Sequence, residues 1–161
     1  MDDSGALSKA LVQKWFAVGL TSPHGVEMVT DDFRWIAPAS MAELFGNDDA
    51  ILHGKQGLAG LPAIDHALYA GYEAGGSNAT VHFMIAEGDI VVMEFDAAFR
   101  THDGDAYHNQ YCLVIRVRDG KIAEVREHAD THYSYEVCLG TPEKRAGVLD
   151  RLQRLRSGQP V

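Results

Sequence analysis

Three carboxylate-glycine pairs, Glu87-Gly88, Asp103-Gly104 and Asp119-Gly120, punctuate an otherwise alternating apolar stretch between Val81 and Asp130. Such a pair between apolar runs is a strong hairpin signal, because glycine takes positive φ at no steric cost. The stretch is therefore expected to form four consecutive antiparallel strands. Tight turns fix register, and register decides which side chains share a face.

With two-residue loops, Arg118 faces Lys121 and His102 faces Asp105. Pairing back along the strands gives three cross-strand rows on one face: Ala98/Asn109/Asp130, Asp96/Tyr111/His128 and Glu94/Leu113/Arg126. Directly opposed side chains lie roughly 5 Å apart at Cβ, within reach of a hydrogen bond. Toward the Gly88 and Gly120 turns that face becomes apolar, with Phe83, Ile85, Ile90, Val92, Ile115, Val117 and Ile122. The opposite face collects Met93, Phe95, Ala97, Phe99, Cys112, Val114, Val125 and Ala129, with His108, Gln110 and Glu127 as polar exceptions. Both faces need cover, unlike a simple meander with one wet side. Polar rows at one end of an apolar surface describe a ligand pocket. The competing reading is a solvated sheet face with ordinary cross-strand ion pairs. A one-residue change in the Asp103-Gly104 loop would send Glu94 and Asp96 to the other side.

The first third reads as helical. Leu7, Leu11, Trp15 and Val18 form an apolar stripe at helical spacing, with Val12 and Phe16 beside them. Ser22-Pro23 offers an N-cap and a first-turn proline for a short helix through Val29. Phe33 to Ile36 reads as a strand stopped by Pro38, and 39–56 as irregular, with Gly46-Asn47-Asp48-Asp49 as a loop tip. A third helix is expected from about Leu61, with Pro62 in its first turn, to Glu73. Leu61, Ile64, Leu68 and Tyr72 share a face there, and Gly75-Gly76 ends it. Thr141-Pro142 starts a last helix, at about 142–156, that can pack Val148, Leu152 and Leu155. Its other face, with Arg145, Arg151, Arg154 and Arg156, reads as solvated. The order of elements is α+β, with helices on one side of a curved antiparallel sheet.

At 161 residues the chain is long enough for one domain with its own core. A net charge of −9 with no basic stripe outside the last helix excludes nucleic acid as the expected partner. No apolar run reaches the length of a membrane span, and the start Met1-Asp2-Asp3 is acidic where a signal peptide is basic. Cys112 and Cys138 lack metal-ligand spacing and read as reduced hydrophobes of a cytoplasmic protein.

The order of elements, with the run from Gly104 to Asp130, resembles the nuclear transport factor 2-like superfamily, and most closely its SnoaL-like branch. The branch's pattern "dGKI…rEy.D" reads here as Asp119-Gly-Lys-Ile122 followed by Arg126-Glu127-His128-Ala129-Asp130. His128 stands where the family usually carries an aromatic residue. Glu87-Gly88-Asp89 before Ile-Val-Val is similar to the family's "eGD.V", and Trp35 matches the aromatic common on the first strand. The resemblance covers most of residues 5–140. It implies one SnoaL-like domain: a cone-shaped sheet, or cystatin-like roll, packed against N-terminal helices. The superfamily includes ketosteroid isomerases, polyketide cyclases, limonene-epoxide hydrolases, dehydratases and non-catalytic binders, so fold alone does not choose a reaction. In catalytic members the carboxylate at the position of Asp130 looks into a conical pocket. The epoxide hydrolase pattern has a second carboxylate matching Asp96 and an Arg two residues before it, where this chain has Glu94.

The resulting expectation is a cofactor-independent acid–base enzyme of isomerase, cyclase or dehydratase type, acting on a small hydrophobic carbonyl compound. Asp130, His128 and Asp96 are the candidate catalytic residues. Tyr111, Asn109, Trp35, Glu94, Arg126, Phe83 and Leu113 are the candidates for substrate binding. Asp130 would take a proton beside the carbonyl, with its pKa raised by apolar walls, while Tyr111 or His128 would hydrogen-bond the enolate oxygen. A non-catalytic small-molecule binder and an epoxide hydrolase-like enzyme are the alternatives. No metal is expected, since His128 and His132 on a strand would stand roughly 13 Å apart. Cys112 and His108 share a face but have no third orienting group. The apolar face led by Met93, Phe95, Phe99 and Val114 points to a homodimer.

Overall fold

Capping chemistry starts the short helix after Ser22 as the sequence suggests, although it ends at Glu27 and Val29 already belongs to a strand. The computed structural model describes residues 4–71 and 78–161. Helix α1 spans Ser4–Ala17, and α2 spans Pro23–Glu27, where the Ser22 hydroxyl accepts from Gly25 N at 3.0 Å. Strand β1 runs over Val29–Ile36, earlier and longer than the apolar run Phe33–Ile36 indicates. The segment expected to be irregular contains a 3₁₀ turn at Ala39–Met41, helix α3 at Ala42–Phe45 and strand β2 at Ile51–His53. Helix α4 covers Gly54–Leu68 with Pro62 inside it, not in its first turn. The expected continuation through Tyr72 and Glu73, the Gly75-Gly76 stop, and Met1-Asp2-Asp3 lie outside the described residues.

Strands β3 (Ala79–Glu87), β4 (Ile90–Arg100), β5 (Ala106–Arg118) and β6 (Lys121–Ala129) form the expected meander. The sheet order is β2-β1-β6-β5-β4-β3. Strand β1 inserts parallel to β6, so the sheet is mixed although mostly antiparallel. Helix α1 packs on β3 and β4, and α4 packs on β1, leaving the opposite face without helices among the described residues. This is the α+β architecture that the order of elements implies.

Two of the assumed registers are wrong by one residue. The Asp103-Gly104 connection is a three-residue loop, His102–Gly104, closed by Thr101 N to Asp105 O at 3.0 Å and Gly104 N to Thr101 O at 3.0 Å. Gly104 holds the positive φ of 90° that ends such a loop. As a result Asp96 pairs with Gln110, Glu94 with Cys112 and Phe95 with Tyr111. The Asp119-Gly120 turn is the two-residue loop expected, with φ of 51° and 71° and Arg118 opposite Lys121. A bulge at Ala123 then shifts the remainder, so Leu113 meets Glu127 and Cys112 meets His128. The rows Ala98/Asn109/Asp130, Asp96/Tyr111/His128 and Glu94/Leu113/Arg126 therefore do not form.

Hydrophobic burial explains the outcome. Val91, Met93 and Ala97 of β4 join Leu113 and Ile115 of β5 and Val125 of β6 in the interior. Phe95 and Phe99 pack against that core. A two-residue loop would have turned the odd-numbered side of β4 to the outer face and brought Glu94 and Asp96 inward. Met93, Phe95, Ala97 and Phe99 thus belong to the helix-covered face, whereas Phe83, Ile85 and Val92 belong to the outer one.

The chain closes with α5 (Thr131–Leu139) and α6 (Pro142–Arg156). The first of these was not anticipated, and it puts His132 on a helix. The arginine face of α6 is not merely solvated. Arg145 forks onto Glu43 at 2.9 and 3.0 Å, Arg151 Nε donates to Ala67 O at 2.9 Å and Arg156 donates to Leu44 O at 2.7 Å. Helix α6 thereby ties α3 to α4. Arg151→Ala and Arg156→Ala are each expected to lower unfolding free energy by about 1–2 kcal/mol in urea titrations, since each leaves a backbone carbonyl without its charged donor.

Candidate active site

Between the helix-covered face of the sheet and the helices lies a cavity of about 280 Å³. Its volume sits near the lower end of small-molecule sites, roughly 300–1,000 Å³. Strands β4, β5 and β6 contribute Phe95, Tyr111, Leu113, Glu127 and Ala129 to it. Trp35 enters from β1, Leu61, Ile64, Asp65 and Leu68 from α4, and Met41, Leu44 and Phe45 from the segment before β2. Helix α5 closes another side with Thr131, Ser134 and Cys138.

Glu127 is the deep carboxyl group of this cavity. The Ala123 bulge turns it inward opposite Leu113, and the parallel pairing of Trp35 with Val125 lays the indole beside it. Trp35 Nε1 donates to Glu127 Oε2 at 2.9 Å. Burial holds the carboxyl above its ordinary range, because the anion loses water here, and the indole hydrogen bond only partly offsets this.

Phenols surround the same space. Tyr107 Oη lies 2.7 Å from Tyr111 Oη and 2.9 Å from Ser134 Oγ. Asn109 Nδ2 donates to Tyr107 Oη at 2.9 Å, to Ser134 Oγ at 2.8 Å and to the Asp130 carbonyl at 3.0 Å. Tyr111 stacks on Phe95 with ring centroids 5.1 Å apart, and Tyr69 stacks on Phe99 at 4.4 Å. Burial, with neighbouring phenols, raises the Tyr69 and Tyr111 hydroxyl pKa values above the usual range, and burial pushes the Cys138 thiol up to about 11. These groups stay protonated near neutrality and can donate hydrogen bonds.

Three of the sequence-selected residues, Trp35, Tyr111 and Leu113, line the cavity. Asn109 faces the same side but is buried behind Tyr107, in the polar network. Asp130 is exposed and caps α5, its Oδ1 accepting from Tyr133 N at 3.0 Å. It does not line the cavity. Asp96 lies on the outer face between His82 Nε2 at 3.1 Å and His108 Nε2 at 3.4 Å, and these imidazoles, His82 foremost, hold its pKa below the usual value. His128 and Arg126 are exposed on that outer face, Arg126 pairing with Glu124 at 2.8 Å. Glu94 and the 43% exposed Phe83 are there too. The trio Asp130, His128 and Asp96 is therefore not gathered at the cavity.

Glu127 was missed because the bulge was missed. In the structure Ile122 and Val125 are both completely buried yet three residues apart, a spacing that a regular strand cannot place on one face, but in the sequence both faces of this strand carry apolar residues and the bulge leaves no mark. For Asp130 the neglected signal was position, since Asp before Thr-His-Tyr-Ser at a strand end is an N-cap pattern.

A curved mixed sheet wrapped around helices, with a cavity between them, defines the nuclear transport factor 2-like class. Residues 23–125, more than half of the chain, match the SnoaL-like domain, and the chain belongs to that family. No curated protein matches the chain in sequence. Among solved structures, TerC co-crystallised with polyporic acid is 18% identical with a TM-score of 0.65, covering 81% of this chain and 97% of its own. A protein from Jannaschia sp. CCS1, proposed to be a SnoaL-like polyketide cyclase, is 15% identical with a TM-score of 0.68, covering 88% and 98%. A protein of ketosteroid isomerase-like fold from Catenulispora acidiphila DSM 44928, in complex with trimethylamine, is 16% identical with a TM-score of 0.56, covering 73% and 83%. The match to the SnoaL-like domain ends at Val125, two residues before Glu127. No helix among the described residues is long and apolar enough to cross a membrane.

The folded protein holds the Glu127 proton more tightly than the unfolded chain does. Its contribution to stability is therefore full below the ordinary carboxylate pKa and is lost as pH rises through the raised value. Glu127→Gln is accordingly expected to raise Tm relative to the parent at pH 8, with the difference shrinking toward pH 4, as thermal melts across pH will show.

Proposed function

We propose that this protein is an acid–base enzyme of isomerase or cyclase type, acting on a small hydrophobic carbonyl compound with its own side chains. The observation that carries the reading is the Glu127 carboxyl, sunk in an apolar cavity, held by Trp35 and raised in pKa toward the operating range of a general base. The small-molecule complexes of the TerC and Catenulispora structures, and the cyclase proposal for the Jannaschia protein, accord with it.

In this reading ionised Glu127 removes a proton from the carbon beside the substrate carbonyl, and the electron pair moves onto the carbonyl oxygen. Tyr111 donates a hydrogen bond to that oxygen. Tyr107, fixed by Asn109 and Ser134, holds the Tyr111 hydroxyl in place. Glu127 and Tyr111 occupy diagonal positions on adjacent strands, roughly 7–8 Å apart in such a ladder, which leaves room for a carbon and an oxygen of one enolate between them. Glu127 then returns the proton at another carbon, giving isomerisation, or the carbanion adds to a second carbonyl carbon of the substrate, whose oxygen takes the proton from Glu127, closing a ring. Trp35 and Leu113 line the substrate's berth.

Deuterium exchange at the α-carbon of small cyclic ketones, followed by NMR, tests the assignment. Glu127→Gln is expected to slow exchange by about 10²–10⁴-fold, and Tyr111→Phe by about 10²–10³-fold. The parent rate should climb with pH through the raised Glu127 pKa and then level off. Unchanged exchange in Glu127→Gln would refute the role.

The outer sheet face supports the homodimer, with Val114 retained from the residues first named and Met93, Phe95 and Phe99 replaced. Phe83 and Ile85 on the edge strand β3, 43% and 61% exposed, continue through Val92 of β4 to Val114 of β5 as an apolar band on this face, with Glu94 beside Phe83 and Arg126 beside Val114. A two-fold axis through this band would bury it against its own copy. Sedimentation at micromolar concentration should show a dimer for the parent and a monomer for Val114→Glu.

A further inference from the structure

The charge content of the cavity is one-sided. Glu127 and Asp65 bring carboxyl groups to its lining, and no Lys, Arg or His is among the lining residues described. The residues outside the described range, 1–3 and 72–77, contain no basic side chain either. Arg151 and Arg156, on α6, donate to the Ala67 and Leu44 carbonyls of the surrounding shell. Aromatic side chains share the lining: Trp35, whose indole N–H meets Glu127, Phe95 stacked with Tyr111 at 9° between planes, and Tyr69 stacked with Phe99 at 17°.

Aromatic faces and a desolvated carboxylate attract the same class of guest, a weakly hydrated organic cation. An anion would lose its water here and meet the like charge of Glu127 once that group ionises, with no cationic side chain in the described lining to offset it. The chain's net charge of −9 adds a long-range field of the same sign. We propose that the cavity is a receptor for a small organic ammonium ion, seated on the aromatic wall with its charge on Glu127, and that it excludes anionic ligands. The site is shared with the proposed reaction, but binding requires no turnover.

Proton release accompanies such binding. Burial holds the Glu127 pKa above its ordinary range in the empty cavity, and an ammonium ion beside the carboxyl favours its ionised form. Trp35 from β1 bonds Glu127 and Tyr111 from β5 interacts with it, and the cavity lining adds Tyr107 from β5, Asp65 from α4, Tyr69 just beyond α4, and Cys138 from α5. The indole does not titrate in this range, and Tyr69, Tyr111 and Cys138 are held upward by burial. Cation affinity therefore rises with pH as Glu127 is freed to ionise.

Isothermal titration of the full chain with three ligands of similar shape tests this: choline, uncharged 3,3-dimethylbutan-1-ol and anionic 3,3-dimethylbutanoate. At pH 8 choline is expected to bind roughly tenfold or more tighter than the alcohol, with no detectable heat from the carboxylate. The gap should narrow toward pH 5, and titrations in two buffers of different ionisation enthalpy should show proton release on binding choline. Glu127→Gln should remove the preference for choline over the alcohol. Equal affinity of choline and alcohol at pH 8, or choline binding independent of pH in the parent protein, would overturn the proposal whether or not the variant folds. Choline binding without ketone exchange would retire the enzymatic reading and leave this one standing, and the reverse result would do the opposite.

Discussion

The arrangement of the whole molecule depends on a parity constraint on β4. Its odd-numbered side chains, Val91, Met93, Phe95, Ala97 and Phe99, are apolar in succession, and its even-numbered positions include Glu94 and Asp96. Helices α1 and α4 cover one side of the sheet, so only the odd set can be buried there without stranding carboxylates. That requirement selects the three-residue loop at His102–Gly104, and the loop then sets β5 so that Tyr107, Tyr111 and Leu113 come inward. The cavity's aromatic wall is a consequence of this choice.

On β6 a different local feature decides the chemistry. Without the Ala123 bulge the inward positions beyond Glu124 would be Arg126 and His128. With it they are Val125, Glu127 and Ala129. Bulges re-aim side chains beside functional sites, and here the change exchanges a cationic interior for an acidic one. Trp35 completes the exchange, since the parallel insertion of β1 next to β6 brings its indole N–H to the only hydrogen bond found on the Glu127 carboxyl among the described residues.

The C-terminal helices serve the same cavity from outside the part of the chain that matches the SnoaL-like domain. Asp130 contributes through its backbone, whose carbonyl accepts from Asn109 and Ser134, while its carboxylate starts α5. Ser134 and Cys138 then form a wall. Arginines of α6 fasten α3 and the end of α4, two further walls, by bonds to their carbonyls and to Glu43. The cavity thus owes its shape to segments far apart in sequence.

Local chemistry settled much of this protein unaided. The Ser22 and Thr141 caps, the bounds of α6, the Asp119-Gly120 turn and the existence of four meander strands follow from residue types within a few positions of one another. The α+β class and the family resemblance follow from their order. Which carboxylate looks inward did not, because a loop of three residues instead of two and one extra residue at Ala123 each reverse every side chain beyond them. Those choices are made by what the helices bury and by where β1 inserts, contacts between distant segments that no local pattern encodes. Trp35, Tyr111 and Leu113 survived the reversals because β1 and β5 kept their expected faces. Asp130, His128 and Asp96 did not, because they lie beyond the shifted points, and Glu127 took the interior position for the same reason.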